Sequence, residues 1–153
     1  MKQGLGTQLR HLIELLDGAV QQSYVDAGLD YRPRYTPVMR VLAQQQSATI
    51  GELAALAGIT QPAATQTVAL MKKEGLLLVA AGGEDGRQRV VRLSRQGEAM
   101  LPRLQACWQA TKRAADSLDA ELDFPLSESL AQAITVLKQH SFGDRIRAAN
   151  KKV

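Results

Sequence analysis

Apolar residues recur every three or four positions from the start of the chain: Leu5, Leu9, Leu12, Ile13, Leu16 and Val20. This spacing puts them on one stripe of a helix over about 5–26 and predicts that the stripe is buried. Gly28 ends that helix, and the turn-rich LDYRPRYTP follows, carrying two prolines. A second helix over about 37–45 sets Val38, Val41 and Leu42 on one face. In the next run, ATIGELAALAGITQPAATQTVALMKKEGLL, Thr49 stands three residues before Glu52, a capping box that starts a helix. Ile50, Leu53, Ala54, Leu56 and Ala57 are its apolar residues, and Gly58 stops it as a left-handed cap. Ile59 reads as a buried turn residue. Thr60 caps the following helix, with Pro62 in the first turn, where proline is tolerated. That helix turns Ala64, Val68 and Met71 inward and ends at Gly75. Two short helices across a glycine-containing turn make a helix-turn-helix pair.

The pattern then changes from helical to extended. LLLVAA reads as a strand, GGEDG as a turn and RQRVVRLS as the returning strand. A hairpin directly after a helix-turn-helix is a wing. Ser94 caps a fifth helix running to about Leu118, whose Leu101, Leu104, Trp108, Thr111, Ala115 and Leu118 form a seam of alternating three- and four-residue steps. Pro102 lies inside it and is expected to kink or loosen it. After DFPLS, a sixth helix carries Leu130, Ile134, Leu137 and Phe142. The predicted fold is mainly α with a small β wing (α+β), a winged helix-turn-helix core flanked by long N- and C-terminal helices. A single domain over 1–153 is expected, with the winged-helix lobe at about 33–94 and flanking helices at about 5–28 and 95–147. The lobe is complete by Leu93, which leaves more apolar stripe than one small lobe can cover. Pairing of two copies through the first, fifth and sixth helices is the economical cover; wrapping of the same chain's core is the alternative.

Charge sharpens the picture. The net charge of the 153 residues is only +4, but nine Lys and Arg against four acids lie between Tyr31 and Gly97, so the rest of the chain is slightly negative. A basic middle third on a winged helix fits a nucleic-acid contact face, the bland alternative being a solvated basic region. Arg87, Arg89, Arg92 and Arg95 surround the hairpin. Arg10, Glu14 and Asp17 interrupt the first apolar pattern, so no signal peptide is read, and no run is long and uncharged enough to span a membrane. A cytoplasmic protein is expected. One cysteine and histidines at 11 and 140 show no metal-ligand spacing, and no cofactor or metal is expected. No phosphate loop, nucleophile elbow or paired acidic motif is present, so the chain is not read as an enzyme.

Between the second helix of the pair and the cap of the fifth helix, Met71 is followed by Gly75-Leu76-Leu77, then after seven residues by Asp85-Gly86-Arg87, then after six by Ser94 and after two more by Gly97. In this spacing the sequence resembles the MarR family of winged helix-turn-helix transcriptional regulators, and the likeness extends over nearly the whole chain. The resemblance implies a homodimeric regulator, a repressor or an activator, with repression the expected sense. It further implies control by a small effector held between the dimer helices and the DNA-binding lobe. Where Gln61 and Gln66 stand the family often has arginine or another polar residue, and where Lys72 stands commonly an acid.

Such a protein would place helix 60–75 in the major groove of pseudo-palindromic duplex DNA and wing 82–89 in the minor groove, with half-sites about 10 base pairs apart. Gln61, Pro62, Ala63, Thr65 and Gln66 occupy the groove-facing end. Glutamine can bond adenine N6 and N7 together, and threonine or alanine can meet the thymine methyl, which leans readout toward A·T pairs. Arg87 is the strongest single candidate, for a narrow minor groove. Asp85 has the wrong charge for DNA and is read as orienting an arginine. Arg89, Arg92, Arg40, Lys72 and Thr49, with Arg32, Arg34 and Lys73, are candidate backbone contacts. His11, Tyr24, Tyr31, Tyr35 and Trp108 are candidate effector-pocket residues, each of which core packing would equally explain. The arginines of YRPRY could attract an anionic aromatic effector. A winged-helix module that docks an acidic protein is one alternative function. A redox switch at Cys107 is another, although no adjacent basic residue lowers that thiol's pKa and a buried structural thiol is favoured.

Overall fold

The computed structural model describes residues 3–82 and 88–152. They fall into two compact units, Met1–Trp108 and Gln109–Val153.

The first unit begins with α1 (Leu5–Asp26). Gly28, at φ +72°, closes it with an amide bonded to the Val25 carbonyl at 2.9 Å. A 3-10 turn, Pro33–Tyr35, leads directly into α2 (Thr36–Gln44). Then follow β1 (Ala48–Thr49), α3 (Ile50–Ala57), α4 (Gln61–Lys73), β2 (Leu77–Ala81), β3 (Arg89–Leu93) and α5 (Arg95–Glu121), whose residues up to Trp108 belong to this unit. The helix ends form where side chains satisfy the otherwise orphaned amides of a first turn. The Thr49 hydroxyl accepts from the Glu52 amide at 3.2 Å while the Glu52 carboxylate accepts from the Thr49 amide at 3.0 Å. Thr60 does the same for Ala63 at 3.2 Å, and Ser94 for Gly97 at 3.1 Å. Gly58 takes the left-handed conformation, φ +69°, that lets α3 stop and α4 start at an angle.

The three strands make one antiparallel sheet in the order β1-β3-β2, with Leu77 opposite Leu93, Val79 opposite Val91, and Ala48 also opposite Val91. The two-residue β1 is absent from the sequence reading, because a strand that short is defined by its partner and not by its own period. The inner sheet face, led by Leu77, Val91 and Leu93, closes over Leu53, Val68 and Met71 of the helix pair, with Met39 and Leu42 from α2. Each such side chain taken out of water contributes about 1.5–3 kcal/mol.

The root of the hairpin is knotted. The Ser94 amide donates to the Leu76 carbonyl at 3.0 Å and its hydroxyl to the Gly75 carbonyl at 2.5 Å. Gly97 lies so close that a Cβ there would collide with the Leu76 carbonyl oxygen.

One expectation needs correction in this unit. The apolar stripe of α1 is not buried by its own chain: Leu5, Leu9, Ile13 and Leu16 are exposed, Leu12 and Val20 half-buried, and Tyr24 is the fully buried residue of the helix. The reason is placement, since the core meets α1 only toward its C-terminal end, at Tyr24, and continues past it at Leu29. The helix α5 includes Pro102 within its span.

The second unit comprises the remainder of α5, α6 (Leu126–Gln139) and α7 (Phe142–Asn150). Asp119 builds its corner, accepting from the Leu126 amide at 2.8 Å, from the Ser127 amide at 3.4 Å, and from the Ser127 hydroxyl. Phe142 does not continue the sixth helix. It opens a seventh, capped by the Ser141 hydroxyl on the Asp144 amide at 3.1 Å. Neither α6 nor α7 buries a residue fully.

Candidate nucleic-acid interface

The geometry of α4 follows from its two faces. Ala64, Thr67, Val68 and Met71 are buried, which commits the opposite face to solvent. On it Gln61, Pro62, Thr65 and Gln66 are exposed near the start and Lys72 and Lys73 at the end, while Ala63 is half-buried. The Thr65 hydroxyl donates to the Gln61 carbonyl at 3.0 Å, one turn back. Its hydrogen is thereby used within the helix, and the methyl group is the free part of the side chain. The exposed start of α4 thus offers two primary amides and a small apolar surface, a set suited to base edges and methyl groups.

The remaining candidates distribute unevenly. Arg89 and Arg92 are exposed on β3. Thr49 is fixed as the cap of α3. Arg87 and Asp85 lie outside the described residues. Arg32 sits at the far end of α4, its Nε 3.9 Å from Glu74 Oε1; a helix of 13 residues is about 20 Å long, so Arg32 does not join Gln61 and Thr65. Arg40 is placed with Trp108, its guanidinium 5.2 Å from the centre of the ring, an attractive cation–π distance.

The aromatic candidates form a packed cluster. Tyr24, Tyr31 and Tyr35 are buried, with rings edge-to-face at 4.8 Å (Tyr24–Tyr31) and 5.6 Å (Tyr31–Tyr35). Trp108, half-buried, donates its indole N–H to the Tyr24 hydroxyl at 3.2 Å. The Tyr24 and Tyr31 hydroxyls meet Thr36 Oγ1 at 3.4 and 3.2 Å. Burial pushes the Tyr31 phenol far above its ordinary value, against the opposing pull of the Thr36 hydrogen bond. Burial also raises the Tyr35 phenol, and the Glu74 carboxylate adds to it. His11 is exposed on α1 and joins none of these.

An open cavity of about 240 Å³ lies instead between α2 and α3, lined by Pro37, Arg40, Val41, Gln44, Leu56 and their neighbours. Sequence reasoning did not find it; Leu56 was named only as an apolar residue of its helix, and its exposed position on α3 beside α2 reveals the cavity. Among the described residues no group of three or more His, Cys, Asp or Glu side chains could hold a metal ion. Likewise, no helix among them is long and apolar enough to cross a membrane.

Comparison with known proteins adds the following. The MarR family model matches residues 28–88, and no curated protein matches. The Mycobacterium tuberculosis transcriptional regulator MOSR, solved in complex with DNA, superposes with a TM-score of 0.69 at 22% identity, covering 94% of this chain and 99% of its own. The MarR family transcriptional regulator SPO1453 from Silicibacter pomeroyi gives 0.59 at 25% identity, covering 87% and 93%. NadR in complex with 4-hydroxyphenylacetate gives 0.56 at 18% identity, covering 92% and 94%. The MarR family match thus covers less than half of the chain, and nearly the whole chain shares its fold with these solved transcriptional regulators.

Proposed function

We propose that the protein is a homodimeric, DNA-binding transcriptional regulator, a repressor, that reads a pseudo-palindromic duplex and answers to a small-molecule effector. The observation that carries this reading is the face of α4. It buries its apolar side on its own lobe and turns Gln61, Pro62, Thr65, Gln66 and Lys72 to solvent, beside a hairpin bearing exposed Arg89 and Arg92. In this reading the amides and the Thr65 methyl contact base edges in the major groove, Arg87 enters the minor groove, and Lys72 and Arg89 neutralise phosphates.

The dimer is supported by apolar surface without cover on its own chain: Leu5, Leu9, Ile13 and Leu16 on α1, Leu130, Ile134 and Leu137 on α6, and Phe142 and Ile146 on α7. The effector is supported by the cavity beside Arg40, where a guanidinium backed by Trp108 suits a small planar anion. That several relatives of this fold are bound to duplex DNA or to a hydroxylated aromatic acid agrees with both parts.

The test is selection of bound duplexes from a random library by the full chain at about 0.15 M salt. An enriched inverted repeat with half-sites about one helical turn apart is expected. Salt-sensitive binding with no enriched sequence would leave the wing as a mere electrostatic surface and favour an acidic protein partner. On the selected duplex, Arg87→Ala should weaken binding by about tenfold or more and flatten the salt dependence; unchanged affinity would remove Arg87 from the interface.

A further inference from the structure

A threonine on a reading surface offers a base edge two groups, a hydroxyl and a methyl. In Thr65 the first is already engaged: the hydroxyl donates to the Gln61 carbonyl, one turn back, at 3.0 Å. Its proton is therefore withheld from the groove acceptors, guanine O6 and N7 or thymine O4. The same bond fixes the side chain in one rotamer, because Oγ1 turned toward the helix leaves Cγ2 a single staggered position. The methyl is thus held in place before anything binds, and contact with it costs no further rotamer freedom. Thr65 is exposed, and helical phase sets it between Gln61 and Gln66, which are exposed too.

The surroundings remove the commonest competitor. No charged side chain occurs from Leu53 through Met71. Lys72, the first after that run, stands about 16 Å further along α4 than Gln61, at about 1.5 Å per residue. Guanine's usual partners, arginine and lysine, are thus missing from the start of α4, where the glutamine amides suit adenine. Across the pair from adenine, in the same groove, stands the 5-methyl group of thymine. An ordered methyl beside two such amides meets its like there, whereas cytosine and uracil carry only hydrogen at that place.

We propose that Thr65 is a specificity-determining residue that reads the 5-methyl group of one pyrimidine in each half-site. This inference rests on the DNA-binding reading above and names the group that α4 recognises. Thymine and 5-methylcytosine carry the methyl; uracil and cytosine lack it. Methylation of a cytosine at that position therefore strengthens a weak site, and occupancy of the duplex answers to cytosine methylation. Sheltering one methyl-sized group from water is worth about fourfold in binding, hence about 15-fold when both half-sites are changed together.

The full chain is titrated against the library-selected duplex, followed by the anisotropy of dye-labelled DNA, with each thymine of the half-site replaced in turn by deoxyuridine in both halves. One position is expected at which uracil weakens binding about 15-fold. There a 5-methylcytosine·guanine pair should bind more tightly than cytosine·guanine by a similar factor. Two near-isosteric variants assign the effect. Thr65→Ser keeps the hydroxyl and its bond to Gln61 but lacks the methyl, and should bind the thymine and uracil duplexes equally. Thr65→Val keeps the methyl and lacks the hydroxyl, and should discriminate as wild type does. Both alter one exposed side chain and should melt within a few degrees of wild type, which keeps loss of folding apart from loss of reading. Indifference of the wild type to uracil at every position overturns the proposal. So does discrimination that survives in Thr65→Ser, since it would come from another side chain or from DNA shape. Discrimination lost in Thr65→Val would come from the hydroxyl and overturns it equally. A wild-type chain that enriches and binds no duplex fails the DNA-binding reading itself, a result distinct from tight binding without methyl preference.

Discussion

α4 and α6 are nearly the same length, 13 and 14 residues, and both carry an apolar stripe at helical spacing. Their fates differ. α4 buries Val68 to 3% exposure and Met71 to zero, whereas Ile134 of α6 is 56% exposed and its neighbours Leu130 and Leu137 about 40%. The stripe of α4 is built largely from small residues, Ala64, Thr67 and Val68, which let α3 and the sheet approach closely. The stripe of α6 is built from large residues that stay substantially exposed. Periodicity therefore shows that a face needs cover; side-chain size and packing neighbours show whether the cover is the chain's own.

The two helices can be set against each other by one change of charge. Val68→Asp puts an unpaired carboxylate into the lobe core and should cost on the order of 4 kcal/mol or more, erasing the cooperative melt seen by circular dichroism; a melt within a few degrees of wild type would mean that α4 is not packed as described. Ile134→Asp, the same charge on the other helix, should leave helicity and melting of the monomer intact. It should weaken self-association about 30-fold or more, read as a halved mass in sedimentation. If wild type and variant sediment alike, the α6 face makes no contact between copies.

A smaller effect is expected at the junction of β3 and α5. Gly97→Ala forces a methyl against the Leu76 carbonyl and should cost about 1–3 kcal/mol, a drop of a few degrees in melting temperature. No drop would show that the α5 start can shift freely. The smallest effect belongs to the second unit. The Ser127 hydroxyl, and behind it the amides of Ser127 and Leu126, hold the Asp119 carboxyl below its ordinary 3.8. Because the folded value is the lower one, the contribution is present above 3.8 and is lost as pH falls through the folded value. Protection of the Leu126 and Ser127 amides from hydrogen exchange should decline in that range, and Asp119→Asn should remove the pH dependence; a flat wild-type profile would contradict the corner's role.

Legibility from sequence followed locality. The bounds of α1 and the caps at Thr49, Thr60 and Ser94 could be read because a cap is decided within four residues. The break between α6 and α7 was legible in principle, since Ser141 and Asp144 carry the same cap spacing, but the apolar residues on either side suggested one continuous helix. β1 was not legible, being defined by Val90 and Val91 far along the chain. At the interface, the solvent-facing set on α4 followed from helical phase alone. What did not follow was the cavity beside Arg40, because it joins segments that only tertiary packing brings together.

The knot at Ser94 has an evolutionary consequence. Because the Ser94 amide and hydroxyl tie back to Leu76 and Gly75, the hairpin is closed at its root before its strands begin. Everything beyond the knot hangs on a loop whose ends are already joined, and doubling the length of such a loop costs only about 0.6 kcal/mol. The tip of the wing can therefore gain, lose or exchange residues between the paired ends Ala81 and Arg89 while the strands, α4 and α5 keep their places. Drift in what the wing touches is decoupled from the stability of the scaffold that presents it.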